Sequence, residues 1–236
     1  PPRRRAETPT DTFVDLDTLL MESDIVTTHV PMTREGPDTT FHMADASFFD
    51  RMRPGAIFIN AARGPVVRSD DLLAALESRH LSHVILDTWE GEPGFRPELL
   101  DAVDIGTPHI AGHSFEGKVM GTVMVYQEAC RVLGVPATWT PDPLLPEPVV
   151  PEISVDVAER SDEAVLWEIV KQVYDIEGDD ARLRAETTDR PSHFDALRKN
   201  YPIRREFRFT TVTLSNSSAR LRETLTGLGF KVQTES

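Results

Sequence analysis

Short apolar runs alternate with longer stretches in which apolar residues recur every three or four positions. The runs at 25–30, 56–60, 83–87 and 103–105 are rich in Val and Ile and predict buried strands. Phe13, Leu16, Leu19 and Leu20 mark a helix over 13–22, with Asp11 or Thr12 as its expected cap. Residues 45–52 predict a short helix that ends before Pro54-Gly55. Leu72, Leu73, Ala75 and Leu76 predict another, capped by Ser69, with Asp70 and Asp71 where the helix dipole favours them. Residues 97–102 form a third, and the polar, Pro-rich residues 1–11 read as a loop. Strands that alternate with helices predict an α/β fold: a doubly wound, Rossmann-like parallel sheet.

A long helix is expected over 115–133, with an apolar stripe of Val119, Met120, Val123, Met124, Ala129 and Val132 and a stop at Gly134 and Pro136. The proline-rich stretch 141–150 has the stiff, extended character of a linker. It divides the chain into domains at 1–140 and 151–236. The second pattern reads as strand 152–157, helix 162–174, helix 192–200, strand 207–214, helix 217–228 stopped by Gly229, and a final strand 230–233. That order predicts a small α+β domain of roughly 90 residues.

Composition narrows the function classes. Hydrophobic content of 39% with 27% charged residues is ordinary for a soluble globular protein of 236 residues. A net charge of -14 argues against nucleic acid as a partner, because phosphate-backbone binding needs clustered Lys and Arg. A small anionic substrate stays possible, since a few local cations outweigh distant charge. Cys130, the sole cysteine, excludes an intrachain disulfide and a thiolate metal cage. It reads as a small, buried or half-buried apolar residue, consistent with a reducing cytoplasmic compartment. No apolar run approaches the ~20 residues of a membrane span, so no membrane partner is expected. No metal-ligand spacing and no Ser or Cys nucleophile context is present.

Parallel strands joined by helical crossovers bring their C-terminal ends to one edge, where ligands bind. Val30, Arg63, Glu92 and His109 all fall just past predicted strands and are expected to converge there. A histidine moves a proton near neutral pH, a carboxylate on its other nitrogen fixes the tautomer, and an arginine fork grips a carboxylate. These are the tasks of oxidising a 2-hydroxy acid by hydride loss to a nicotinamide. Each residue alone has a plainer reading: Arg63 as a solvated loop residue, Glu92 as a turn carboxylate with Glu90 its equal, His109 as a capping or packed residue, Asp87 as the cap of the next turn. His29, His42, His80, His83 and His193 read as structural or surface, and Trp89 and Trp139 as packing residues.

Three blocks together resemble the signatures of the D-2-hydroxyacid dehydrogenases: Asn60-Ala-Ala-Arg63-Gly64, Leu86-Asp87-Thr-Trp-Glu-Gly-Glu92-Pro93, and Thr107-Pro-His109-Ile-Ala-Gly112. Their spacing matches as well. The resemblance extends to Leu197-Arg-Lys-Asn-Tyr201-x-x-Arg-Arg205-Glu206, in a C-terminal module that phosphoglycerate dehydrogenases lack. It implies NAD as cofactor and a small phosphorylated 2-hydroxy acid, 4-phospho-D-erythronate, as substrate, in pyridoxine 5'-phosphate synthesis. Arg63 would bind the substrate carboxylate, and Glu92 would pair with His109, the proton donor or acceptor. Asp87 would meet the nicotinamide amide, with Val30 and Gly112 lining the cofactor. His113 stands where the resembled enzymes carry a substrate-touching tyrosine, and Ala62 replaces a common cysteine. The C-terminal domain would mediate a homodimer.

The family's Gly-x-Gly-x-x-Gly does not occur in this chain. The sequence therefore resembles the C-terminal two-thirds of such an enzyme, with a partial nucleotide-binding sheet and little expected activity alone. Two alternatives remain open: a dehydrogenase of the phosphoglycerate or hydroxypyruvate type, and a non-catalytic dimerisation module. The run Arg198, Lys199, Arg204, Arg205 reads either as a solvated face or as a patch at an interface or near a substrate phosphate.

Overall fold

The computed structural model describes residues 13–235. The expected loop over 1–11 and the candidate caps Asp11 and Thr12 lie outside the described residues. Helix α1 spans Leu16–Glu22, shorter than its apolar stripe, because Asp15 takes the cap and accepts the Thr18 N–H at 2.8 Å. There follow β1 (Ile25–Thr28), α2 (Ala46–Arg51), β2 (Ala56–Asn60), α3 (Ser69–Glu77), β3 (Leu81–Leu86), α4 (Pro97–Ala102) and β4 (Ile105–Gly106).

The four strands are parallel and lie in the order β1-β2-β3-β4. Their register pairs Thr28 with Asn60, Asn60 with Leu86, and Leu86 with Gly106. One straight row of residues therefore closes the carboxyl edge of the sheet. Val30, Arg63, Asp87, Glu92 and His109 all come after that row. The core beneath it is aromatic and dense: Phe48, Phe49 and Phe58 meet edge-on at centroid distances of 5.3–6.0 Å, among buried Leu20, Met52, Leu72, Val84 and Trp89.

Beyond β4 come α5 (Phe115–Leu133), β5 (Glu152–Asp156), α6 (Asp162–Val173), α7 (Ile176–Arg184), α8 (Arg190–Lys199), β6 (Thr211–Ser215), α9 (Ala219–Gly227) and β7 (Lys231–Thr234). The strands β5-β6-β7 form a second sheet, also wholly parallel. The C-terminal element is thus α/β, where α+β was expected. Its strands are linked by helices, and parallel neighbours require such crossovers. Residues 207–209 form a 3-10 turn, so β6 starts later than its aromatic pattern suggests. Val165 and Ile169 of α6, with Leu221 and Leu225 of α9, pack on Val155, Val212 and Leu214 of this sheet.

Contacts divide the chain into two units, at a different place from the expected linker at 141–150. One unit takes the chain through Ala111 together with Glu177–Asn200, and the other takes Gly112–Ile176 and the chain from Tyr201. The return of 177–200 to the first unit has a physical cause. Leu183 and Phe194 are buried in the first core, and Phe194 meets Phe95 at 5.6 Å. The Arg184 guanidinium donates to the carbonyls of Leu100 at 2.5 Å and Val103 at 2.9 Å, which end α4, and Asp180 accepts the Gly106 N–H at 2.7 Å. Helix α7 thereby caps both α4 and β4.

In the second unit, Val123 of the predicted α5 stripe is buried, while Met120, Met124 and Val132 are exposed. Cys130 is buried, in line with its reading as a small apolar residue. Trp139 is 41% exposed and rests edge-on against Tyr126, whereas Trp89 of the first unit is fully buried. Glu116 and Arg205 form a buried ion pair, and the Arg205 guanidinium lies 3.9 Å from the Phe209 ring centroid. Arg205 therefore belongs neither to a solvated face nor to a phosphate patch. Among the described residues, no helix is long and apolar enough to cross a membrane.

Arg184→Ala should lower stability by about 1.5–3 kcal/mol, the usual worth of hydrogen bonds from a charged group, and open residues 177–200 to protease. Denaturant unfolding with limited proteolysis reads both effects. An unchanged midpoint and digestion pattern would show that α7 is not anchored in this way.

Candidate active site

The loop after β4 is set by Asp87, the first residue after β3. Its Oδ1 accepts from the Thr107 hydroxyl and the Ile110 N–H, both at 2.7 Å, and its Oδ2 accepts from the Ala111 N–H at 3.0 Å. Its backbone carbonyl takes the His109 N–H at 2.7 Å. Four bonds from one residue hold His109 at φ 54, a left-handed conformation that is rare outside glycine. The sequence alternative of Asp87 as a turn cap is thus structurally present. Among the described residues Oδ2 accepts one bond where Oδ1 accepts two.

Glu92 meets His109 directly. Its Oε1 lies 2.5 Å from His109 Nδ1, and its Oε2 accepts the Trp89 N–H at 3.0 Å. Both side chains are about three-quarters covered, at 22% and 25% relative exposure. An ionised carboxylate only accepts, so Nδ1 carries the proton and Nε2 presents a lone pair. Among the described residues Nε2 has no hydrogen-bond partner. The Trp89 indole N–H donates to the Thr107 carbonyl at 2.9 Å, which ties the Glu92 loop to the His109 loop from below.

The geometry separates the two carboxylates of this loop. Glu90 turns away from His109 and pairs with Nε2 of His42, while its Oε2 accepts the Ser69 N–H at 3.0 Å. Burial alone would raise the Glu90 carboxyl, but the Ser69 N–H and the His42 ring outweigh it and hold its pKa below the ordinary 4.5. Ser69 is therefore not the cap of α3. It is the first helical residue, and Glu90 satisfies its orphan N–H. His42, expected to be structural or surface, reaches the Glu92 loop through this bond.

Arg63 is exposed at the same edge. Its side chain donates to the Ala62 carbonyl at 2.6 Å and, among the described residues, bonds neither Glu92 nor His109. Its loop is nonetheless fixed against the Glu92 loop. A Cβ on Gly64 would lie 2.0 Å from the Trp89 carbonyl oxygen, so only glycine permits this approach. Asn60 adds a second tie: its Oδ1 accepts from Thr28 Oγ1 at 2.7 Å and the Ala62 N–H at 3.1 Å, and its Nδ2 donates to the Arg63 carbonyl at 3.3 Å. Neither the Asn60 hub nor the His42–Glu90 bond was foreseen from sequence. A buried asparagine at a strand end was the available signal for the first.

Val30 is half-buried just past β1. Gly112 and His113 fall in the second unit, where a Cβ on Gly112 would meet no atom within 4 Å and the His113 ring lies 5.7 Å from that of Tyr201. Among the described residues, no group of three or more His, Cys, Asp or Glu side chains could hold a metal ion.

The profile of the family described as "D-isomer specific 2-hydroxyacid dehydrogenase, NAD binding domain" matches residues 1–111. Over these residues the chain is similar to that family. A second profile, "Domain of unknown function (DUF3410)", matches residues 144–229. The chain is similar to the erythronate-4-phosphate dehydrogenase of Marinobacter nauticus, 41% identical over 99% of this chain and 62% of that protein. The namesake of Cronobacter sakazakii is 44% identical over 88% of the chain and 54% of that protein. That of Azotobacter vinelandii is 43% identical over 97% and 60%. The chain thus spans 54–62% of the length of these curated relatives.

The Glu90 carboxyl makes stability depend on pH. Its folded pKa is depressed, so its contribution is full above the ordinary value of 4.5 and is lost as pH falls through the lower folded value. Glu90→Gln should therefore be less stable than the unmodified chain at pH 7, with the gap closing in acid. Denaturant titrations across that range measure it, and a gap independent of pH would contradict the assignment.

Proposed function

We propose that this chain carries the acid–base half of an NAD-dependent dehydrogenase acting on 4-phospho-D-erythronate, with (R)-3-hydroxy-2-oxo-4-phosphobutanoate as product. The observation that carries the reading is the Glu92–His109 pair, fixed at the carboxyl edge of a parallel sheet in a chain so similar to the erythronate-4-phosphate dehydrogenases. His109 Nε2 takes the C2 hydroxyl proton, and Glu92 stabilises the imidazolium that results. Arg63, exposed at the same edge, binds the substrate carboxylate through its planar fork. NAD, when bound, supplies the hydride acceptor for C2. Asp87 Oδ2 fits the nicotinamide end, since an acceptor at the strand terminus suits an amide donor. Val30 and Gly112 are the proposed backbone lining of the cofactor, and His113 a substrate contact.

A homodimer in the cytoplasm, formed through the C-terminal unit, belongs to the same proposal. Exposed Met124, Val125, Val132, Leu133 and Trp167 in that unit support it. Sedimentation equilibrium tests it, and a monomer at micromolar concentration would refute it.

The chemistry is tested by joining the chain to the N-terminal portion of the Marinobacter nauticus relative. The joined enzyme should form NADH from 4-phospho-D-erythronate in preference to 3-phosphoglycerate. His109→Gln should lower kcat by about 10²–10⁴, the usual worth of a positioned general base. Preference for 3-phosphoglycerate would move the substrate assignment, and an unaffected His109→Gln would remove the acid–base reading. Titrating the chain alone with NAD tests the binding-module alternative, which gains only if no NAD binds.

A further inference from the structure

His42 and Glu90 do work that the acid–base pair does not explain. Residues 89–92 form a tight turn, closed by the Glu92 N–H on the Trp89 carbonyl at 3.2 Å, with Gly91 at φ 78. Glu90 and Gly91 are its central residues, so anchoring the Glu90 side chain fixes one corner of the turn that carries Glu92. Glu90 is held at both oxygens. Oε1 meets His42 Nε2, and Oε2 takes the Ser69 N–H that opens α3.

His42 is itself fixed. Its backbone sits at φ 53, and its N–H donates to the Pro65 carbonyl at 2.8 Å. Its ring stacks on Phe41 at 3.9 Å and 21°, and the Arg34 guanidinium covers the far side of that stack, 4.0 Å from the Phe41 centroid. The neighbouring Ala44 N–H bonds the Val66 carbonyl, and the Arg68 N–H bonds the Ala44 carbonyl, each at 3.0 Å. The segments at 40–44, 63–69 and 89–92 are thereby clamped together. They carry Arg63 and Glu92 on two of their three arms.

We propose that His42 and Glu90 are a positioning pair, which sets the Glu92 turn so that its carboxylate meets His109 Nδ1 and holds the Arg63 loop in register with it. Neither residue touches the reacting atoms in this assignment. Its functional meaning rests on the acid–base reading of His109, but its geometry does not. The readout is therefore one that needs no turnover.

Long-range ¹H–¹⁵N correlations on the full chain, at a pH where His109 is neutral, report which ring nitrogen carries its proton. Glu92→Gln sets the scale by weakening the bond that selects Nδ1–H. His42→Phe keeps the stack on Phe41 and every carboxylate, and Glu90→Ala removes the other half of the clamp. Both should move the His109 tautomer by at least about half of the Glu92→Gln change toward Nε2–H, as loss of a specific orienting bond requires. Glu90→Gln keeps an acceptor for Ser69 and should stay near the unmodified chain. If His42→Phe and Glu90→Ala leave the tautomer unmoved while Glu92→Gln shifts it, the proposal is wrong. Should His42→Phe fail to fold, Glu90→Ala decides. If neither folds, the pair is a fold element rather than a positioning device, and the proposal also falls. Loss of turnover in His109→Gln with an unmoved tautomer here would separate the two readings.

Discussion

The site depends on the bonds made by Asp87. A carboxylate at the end of a parallel strand gathers one hydroxyl and two backbone N–H groups from the loop of the next strand, and its own carbonyl takes a third N–H. That loop would otherwise have little reason to place a histidine in the left-handed region, where a non-glycine residue is strained by an order of 1–3 kcal/mol. The buried, charge-assisted bonds offset the strain and leave the imidazole facing the edge of the sheet.

Everything else at that edge is arranged around the loop so fixed. Trp89 ties it from below through Thr107, and Glu92 from the side through Nδ1. Asn60 and Gly64 bring the Arg63 loop against the same segment, one by hydrogen bonds and the other by lacking a Cβ. The sheet register supplies the common origin, because Thr28, Asn60, Leu86 and Gly106 form one row from which every site residue departs. All of these local constraints lie within a single contact unit.

The sequence was most informative where one force dominates. Strand β2, helix α4 and helix α5 keep the bounds that periodicity and flanking Gly or Pro residues predict. Helix α7 was illegible because it is mostly charged, and it is held by Arg184 and Asp180 bonds to distant backbone rather than by an apolar stripe. The return of 177–200 to the first unit was illegible for a related reason: a proline-rich composition marks a stiff segment but does not report that Phe194 is buried beside Phe95. The parallel C-terminal sheet was missed because alternating residues in β6 reveal one buried face without revealing the direction of its neighbours. At the site, motif spacing located Glu92 and His109. Residue chemistry alone left Glu90 equal to Glu92 and the family resemblance chose Glu92; the structure separates the two by their partners.

Amide hydrogen exchange at Ile110 and Ala111 tests the central constraint most directly, because these two N–H groups donate to the Asp87 carboxylate. Both should exchange slowly in the unmodified chain and speed up sharply in Asp87→Ala, while amides of the sheet core stay protected. Fast exchange at Ile110 and Ala111 in the unmodified chain, under conditions where the sheet core is protected, would contradict the account.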